Sequence, residues 1–129
     1  MAFIASEVLS VTTDGSGAAT ATTLNTYNGL VQAIVYTIDG TSPYANGVSI
    51  TVTGAKSGLT LWSETLTTNA SKTRYPRAAT QATDGTAALY ASAGTAVLDK
   101  IPLADEGIKV VIASGGATKV GSFRFLVGG

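Results

Sequence analysis

The chain has 129 residues, 45% of them hydrophobic, and its eight basic and eight acidic residues give a formal net charge of zero. It has no cysteine and no histidine, which excludes disulfide scaffolds, zinc ribbons, thiol nucleophiles and histidine general bases, and with them most enzyme classes. Balanced charge leaves no global field to draw in nucleic acid or an anionic membrane.

Charged residues make up 12% of the sequence, against about 25% in an ordinary soluble domain. A surface so poor in charge fits a protein covered by neighbours in an assembly, and equally a monomer with a threonine-rich sheet surface. The length suits one domain, residues 1–129, that removes roughly two-thirds of its unfolded surface from water. Met1-Ala2-Phe3-Ile4-Ala5 carries no basic residue and is too short to be the continuous apolar core of a secretory signal, so it reads as an N-terminal arm and not as a secretory signal. No stretch approaches the ~20 apolar residues of a membrane span.

In chain order, Ser6 to Thr13 opposes Val8 and Ser10 to Leu9 and Val11, which predicts a strand closed by the turn Asp14-Gly15-Ser16-Gly17. Ala18 to Thr23 is small and β-branched and reads as an edge strand. Leu30 to Asp39 is the longest apolar run, apolar on both faces, and is expected to be a central strand covered on two sides. Val48 to Thr53 alternates cleanly, valines and isoleucine in and hydroxyls out, and a further strand runs from Leu59 toward Leu66. Pro76 keeps the stretch from Asn69 to Gln81 out of a central strand. Ala87 to Val97 is alanine-rich but interrupted by Gly94 and Thr95, and reads as an irregular loop.

The two C-terminal runs have the strongest pattern. Ile108, Val110 and Ile112 share one side of a strand, and Phe123, Phe125 and Val127 share one side of another, opposite Ser122 and Arg124. Ser114 to Lys119 between them supplies turn glycines, which predicts a β-hairpin with one buried face. Seven to nine short strands and little helix give an all-β chain, an antiparallel β-sandwich of jelly-roll type, with a barrel of the oligonucleotide-binding type as the alternative.

Little in the sequence carries chemistry. Gly116 to Ser122 has the outer spacing of a phosphate loop but lacks the lysine before its hydroxyl and links two strands. Asp105 and Glu106 are adjacent carboxylates that read as turn residues solvating a loop, not as a glycosidase pair. No run of alternating Asp or Asn suits calcium. No catalytic residue, metal ligand or cofactor is therefore expected. Lys72, Arg74, Tyr75 and Arg77 form the one local concentration of a single charge sign beside an aromatic ring. Such a group holds carboxylates of a protein partner or phosphates with a stacked base, or is a solvated loop. With no other positive field in the chain, a protein partner is favoured over nucleic acid. Trp62 is expected in the core, although an exposed tryptophan on a strand would be a binding anchor.

The succession Ser49-Ile50-Thr51-Val52-Thr53-Gly54, Leu61-Trp62-Ser63, Tyr75-Pro76-Arg77, Ile101-Pro102-Leu103-Ala104-Asp105-Glu106 and Ile108-Lys109-Val110-Val111-Ile112 with Gly115-Gly116 resembles small virion proteins of tailed bacteriophages. The resemblance implies a structural protein of the virion, assembled in the host cytoplasm: a capsid cement or decoration protein, a dimer or trimer, bound to the major capsid protein over subunit joints. It implies partner contacts through Phe3 in the N-terminal arm and through Lys72, Arg74, Tyr75 and Arg77. Replacing Arg74 and Arg77 with alanine should then lower binding and spare the fold. A neck or tail component of the same particle is one alternative. A glycan-binding β module, stacking sugars on Trp62, Tyr44 or Tyr90, is another.

Overall fold

A computed structural model describes residues 4–81, 84–86, 88–89, 94–95 and 97–128. Its regular elements are all strands: β1 (Ile4–Thr12), β2 (Ala19–Thr22), β3 (Tyr27–Ile38), β4 (Val48–Gly54), β5 (Thr60–Leu66), β6 (Lys72–Arg74), β7 (Arg77–Ala79), β8 (Leu98–Lys100), β9 (Pro102–Glu106), β10 (Ile108–Ala113) and β11 (Val120–Gly128). One sheet has the order β1-β11-β3-β6, with β9 also on β3, and the second has the order β2-β10-β4-β5. β7 and β8 form a separate two-stranded ribbon. The fold is thus all-β and sandwich-like, with antiparallel sheets curled into a half-barrel. The N-terminal arm begins at Met1 to Phe3, outside the described residues; Ile4 and Ala5 already pair with Gly128 and Val127.

The C-terminal hairpin does not form. β10 pairs with β2 and β4 in one sheet, whereas β11 pairs with β1 and β3 in the other. Residues 114–119 carry the chain from sheet to sheet, a step of about 10 Å that a tight hairpin turn could not make. Alternation correctly turned Ile108, Val110 and Ile112 inward, and likewise Phe123, Phe125 and Val127. The two triplets face each other across the core instead of sharing a face.

β3 departs from its expected alternation for a related reason. It is central, with β11 on one side and β6 and β9 on the other. Leu126 pairs with Ala33 but Val127 pairs with Val31, so Gln32 is the extra residue of a bulge. The bulge moves the inward phase from Val31 to Ile34 and Tyr36. The run therefore looks apolar on both faces although the main core lies on one of them; on the other Ala33 is buried while Leu30 and Val35 remain half-exposed.

At one end of the sandwich the crossing loops are tied together. Ala45 N–H donates to Gly115 O at 3.0 Å, Gly115 N–H to Gly17 O at 2.9 Å, and Val120 N–H to Ser42 O at 2.9 Å. Tyr44 reaches from the β3–β4 loop into the core, where its hydroxyl donates to Val11 O at 2.5 Å and its ring stacks on Tyr36 at 6.2 Å. Tyr36 also stacks on Phe123 at 5.0 Å and tilts against Trp62 at 6.2 Å. Burial raises the Tyr36 hydroxyl to about 12 and raises that of Tyr44 further, so both stay protonated donors. Gly121 makes the room: a Cβ there would lie 2.9 Å from Tyr44 Cζ and 3.0 Å from Tyr36 Cε1. Gly121→Ala should destabilise the fold by about 2 kcal/mol through overpacking, read as a lower urea midpoint with unchanged m-value.

Candidate functional site

β6 and β9 lie end to end along one edge of β3. Lys72, Thr73 and Arg74 pair with Tyr36, Val35 and Ile34. Ile101 O then accepts from Val31 N–H at 2.9 Å, and Pro102, Leu103 and Glu106 pair with Leu30, Gly29 and Tyr27. The two segments run in the same direction, so together they are one edge strand interrupted by residues 75–100. Pro102 is tolerated there because an edge strand has one unpaired side. The interruption is here called the arm; its root is the β7–β8 ribbon, which Thr80 N–H extends by donating to Val97 O at 2.8 Å. Of the alanine-rich stretch from Ala87 to Val97, positions 87, 90–93 and 96 lie outside the described residues; the others are not helical.

The basic and aromatic group sits where the arm leaves the sheet, and the structure divides it. Arg74 is engaged within the chain: its Nε donates to Glu64 Oε1 at 2.9 Å and an Nη to Oε2 at 3.0 Å, while its guanidinium lies 5.9 Å from the Trp62 ring centroid. Trp62 Nε1 donates to the same carboxylate at 3.0 Å. Glu64 pairs with Ile50 on β4, and Arg74 with Ile34 on β3, so both side chains turn toward the interior side at the open edge. They latch β5 of one sheet to β6 of the other. Arg74, with smaller help from the Trp62 hydrogen bond, holds the Glu64 carboxyl below its ordinary 4.5. Lys72 is half-buried on the same side of β6 and adds a weaker favourable field at Glu64.

Tyr75 and Arg77 make none of the hydrogen bonds of this latch. Tyr75 is 64% exposed, and Arg77 is exposed with one Nη donating to Pro76 O at 2.6 Å. Phe3 lies outside the described residues. Trp62 and Tyr44 are buried, at 6% and 3% exposure, so neither offers a face to a sugar; Tyr90 lies outside the described residues.

Glu106 is buried and is not a loop-solvating residue. It accepts from Ser57 N–H at 3.0 Å, Lys56 N–H at 3.1 Å and Ser57 Oγ at 3.0 Å, fixing the β4–β5 turn. The Ser57 backbone bond first, and the Lys56 and hydroxyl bonds after burial is overcome, lower its carboxyl from 4.5. Glu7 acts similarly on the β2–β3 loop, accepting from Leu24 N–H at 2.8 Å, Asn25 N–H at 3.2 Å and the Tyr27 hydroxyl at 2.6 Å. Desolvation alone would raise Glu7, but these donors outweigh it and its carboxyl is lowered. All three glutamates thus organise the fold. Among the described residues no pocket opens and no group of three metal-ligating side chains gathers.

A second surface was not singled out from sequence. Cross-strand neighbours share a face, so the registers Ser6–Leu126–Ala33 and Val8–Arg124–Val35 place these side chains on the outer face of the β1-β11-β3 sheet, beside Ile4 and Leu30. Ile4 is 64% exposed and Val8 60%. Arg124 is the charged residue in these rows. Alternation sets Val8 opposite Leu9 and Val11, and Phe125 on a buried face, but does not say which side of the first strand is outward.

No protein-family model and no curated protein matches this chain. A solved structure described as "Crystal Structure of FLHE" aligns over 99% of this chain and 95% of its own, with a TM-score of 0.45 and 15% identity. Similarity of that degree carries no functional inference.

The latch makes a pH prediction. Glu64 and Glu106 have folded values below their ordinary 4.5, so the stability they contribute is present above about pH 4.5 and is lost as pH falls through the folded values. Arg74→Ala should cost about 1 kcal/mol through the lost ion pair and ring contact, shift Trp62 emission to the red, and flatten part of the acid limb in a Tm-against-pH series. An unchanged acid limb would remove the latch from the account of acid stability.

Proposed function

We propose that this chain is a structural protein of an assembled particle, specifically a capsid cement or decoration protein of a tailed-phage virion that binds over joints between major capsid subunits. The observation that carries the reading is the outer face of the β1-β11-β3 sheet, where Ile4, Val8, Leu30, Val35 and Leu126 lie in adjacent rows with a single charge, Arg124. A sheet face that turns this many aliphatic side chains outward around one cation is one that a neighbour can cover. The low charge content suits close packing, and many identical contacts repeated over a shell add up to stability that one contact does not supply. The sequence resemblance in the Val52, Trp62, Ile101–Glu106 and Ile108–Ile112 tracts supports the same assignment.

Purified protein should co-sediment with shells stripped of their decoration, saturate at a stoichiometry set by shell symmetry, and raise the temperature at which the shells disrupt. Val8→Lys, which places a charge on the outer face without entering the core, should weaken that binding by about tenfold or more and leave the protein's own Tm within a degree or two. A few copies per particle would place the protein in the neck or tail. Absence of binding overturns the particle reading.

A further inference from the structure

The root of the arm contains a charge arrangement that the fold itself does not use. In the β7–β8 ribbon Arg77 pairs directly with Lys100, and Ala79 with Leu98. Directly paired residues in an antiparallel ribbon point to the same face with Cβ atoms about 5 Å apart, and like charges so placed repel. Neither cation has an internal acid to relieve it: the ion pairs among the described residues are Lys56 with Asp105 and Arg74 with Glu64. Asp99, adjacent in sequence, pairs with Ala78 on the opposite face and accepts the Lys100 backbone N–H at 2.7 Å. One residue pair further along the same face stands Leu98, 57% exposed, and Tyr75 stands exposed where the chain enters the ribbon.

We propose that this face, formed by Arg77, Lys100 and Leu98 with Tyr75 beside it, is a docking surface for an extended acidic segment of a protein partner, one that presents a carboxylate and an apolar side chain two residues apart. Such a segment turns both side chains to one side with a separation of about 7 Å, the distance between successive same-face pairs in the ribbon. A carboxylate set between Arg77 and Lys100 converts their repulsion into two charge-assisted hydrogen bonds. The apolar residue then meets Leu98. Nucleic acid fits less well, because two cations neutralise few phosphates and the rest of the chain supplies no positive track. The inference deepens the assembly reading by naming the chemistry of one contact; Arg74, held by Glu64, is not part of it.

The test uses the full chain with three fluorescent probes: a peptide repeating Glu-Thr-Leu-Thr, its counterpart repeating Gln-Thr-Leu-Thr, and a thymidine oligonucleotide. Fluorescence anisotropy should show binding of the glutamate peptide alone, weakening as salt is added. Arg77→Gln and Lys100→Gln should each reduce it by about tenfold while the Tm stays level or rises, since each removes a like-charge neighbour. A purely structural role for these residues would instead lower the Tm. Equal binding of both peptides, preference for the oligonucleotide, unimpaired binding by the variants, or self-association of the chain that the two variants abolish would each overturn the proposal. Co-sedimentation separates it from the particle reading: wild-type and Arg77→Gln proteins bound equally to shells would remove the arm root and leave the particle role standing, whereas failure of both would remove the particle role.

Discussion

Much of the structure depends on the burial of Tyr44 against Tyr36. The Tyr44 ring comes from a loop, not from a strand, and its place in the core fixes where that loop lies. Its hydroxyl must find an acceptor once it leaves water, and Val11 O on β1 provides one. The hydrogen bond draws the β3–β4 loop over the end of the sandwich, where Ala45 N–H meets Gly115 O and Val120 N–H meets Ser42 O. Gly121 is the counterpart of this arrangement, since any side chain at that point of β11 would occupy the ring's space. Three chain crossings are thereby pinned by one phenol.

The other sheet edge is held differently, by carboxylates. A sandwich has two open sides, and between β5 and β6 the gap is bridged by Glu64, Arg74 and Trp62. Inward-turned charges at a sheet edge also discourage addition of a foreign strand, so the latch protects as well as joins. Because β6 is only three residues long and is followed at once by the arm, this pair sits at the point where the edge strand would otherwise lose its hold on β3. The two ends of the arm are anchored, by Arg74 on Glu64 at one and by Ile101, hydrogen-bonded to Val31, at the other.

The inward or outward sense of most side chains was legible in the sequence, because alternation is a local property. Val48, Ile50 and Val52, Phe123 and Phe125, and Ile108 to Ile112 all turn inward as their spacing requires. Strand partners were not legible. Residues 114–119 could serve a hairpin or a sheet-to-sheet crossing, and nothing in Ser-Gly-Gly-Ala-Thr-Lys distinguishes the two. The bulge at Gln32 was equally hidden, since it is a property of the register with Leu126 and Val127 and not of β3 itself. At the candidate site, charge clustering found Arg77 and Tyr75 but grouped them with Arg74, whose partner Glu64 lies ten residues earlier on the other sheet. Lys100 and Leu98 were missed because they reach Arg77 and Ala79 only through the ribbon that returns from the arm.

The distribution of charge then separates fold from function. Glu7, Glu64 and Glu106 each accept several hydrogen bonds from the chain, and Asp14, Asp39 and Asp84 accept backbone N–H groups at turns. Acidic residues in this protein are largely fastened to its own backbone. Basic residues are less so: Arg77 and Arg124 are exposed and Lys100 is half-buried, and none of the three has a carboxylate partner in an ion pair among the described residues. A formal charge of zero therefore conceals a surface on which cations project and carboxylates are held close. An arm that brings two cations into register costs stability unless something outside the chain relieves it. Its retention at the root of an arm, instead of in the core sheets, places that strain where a partner can reach it.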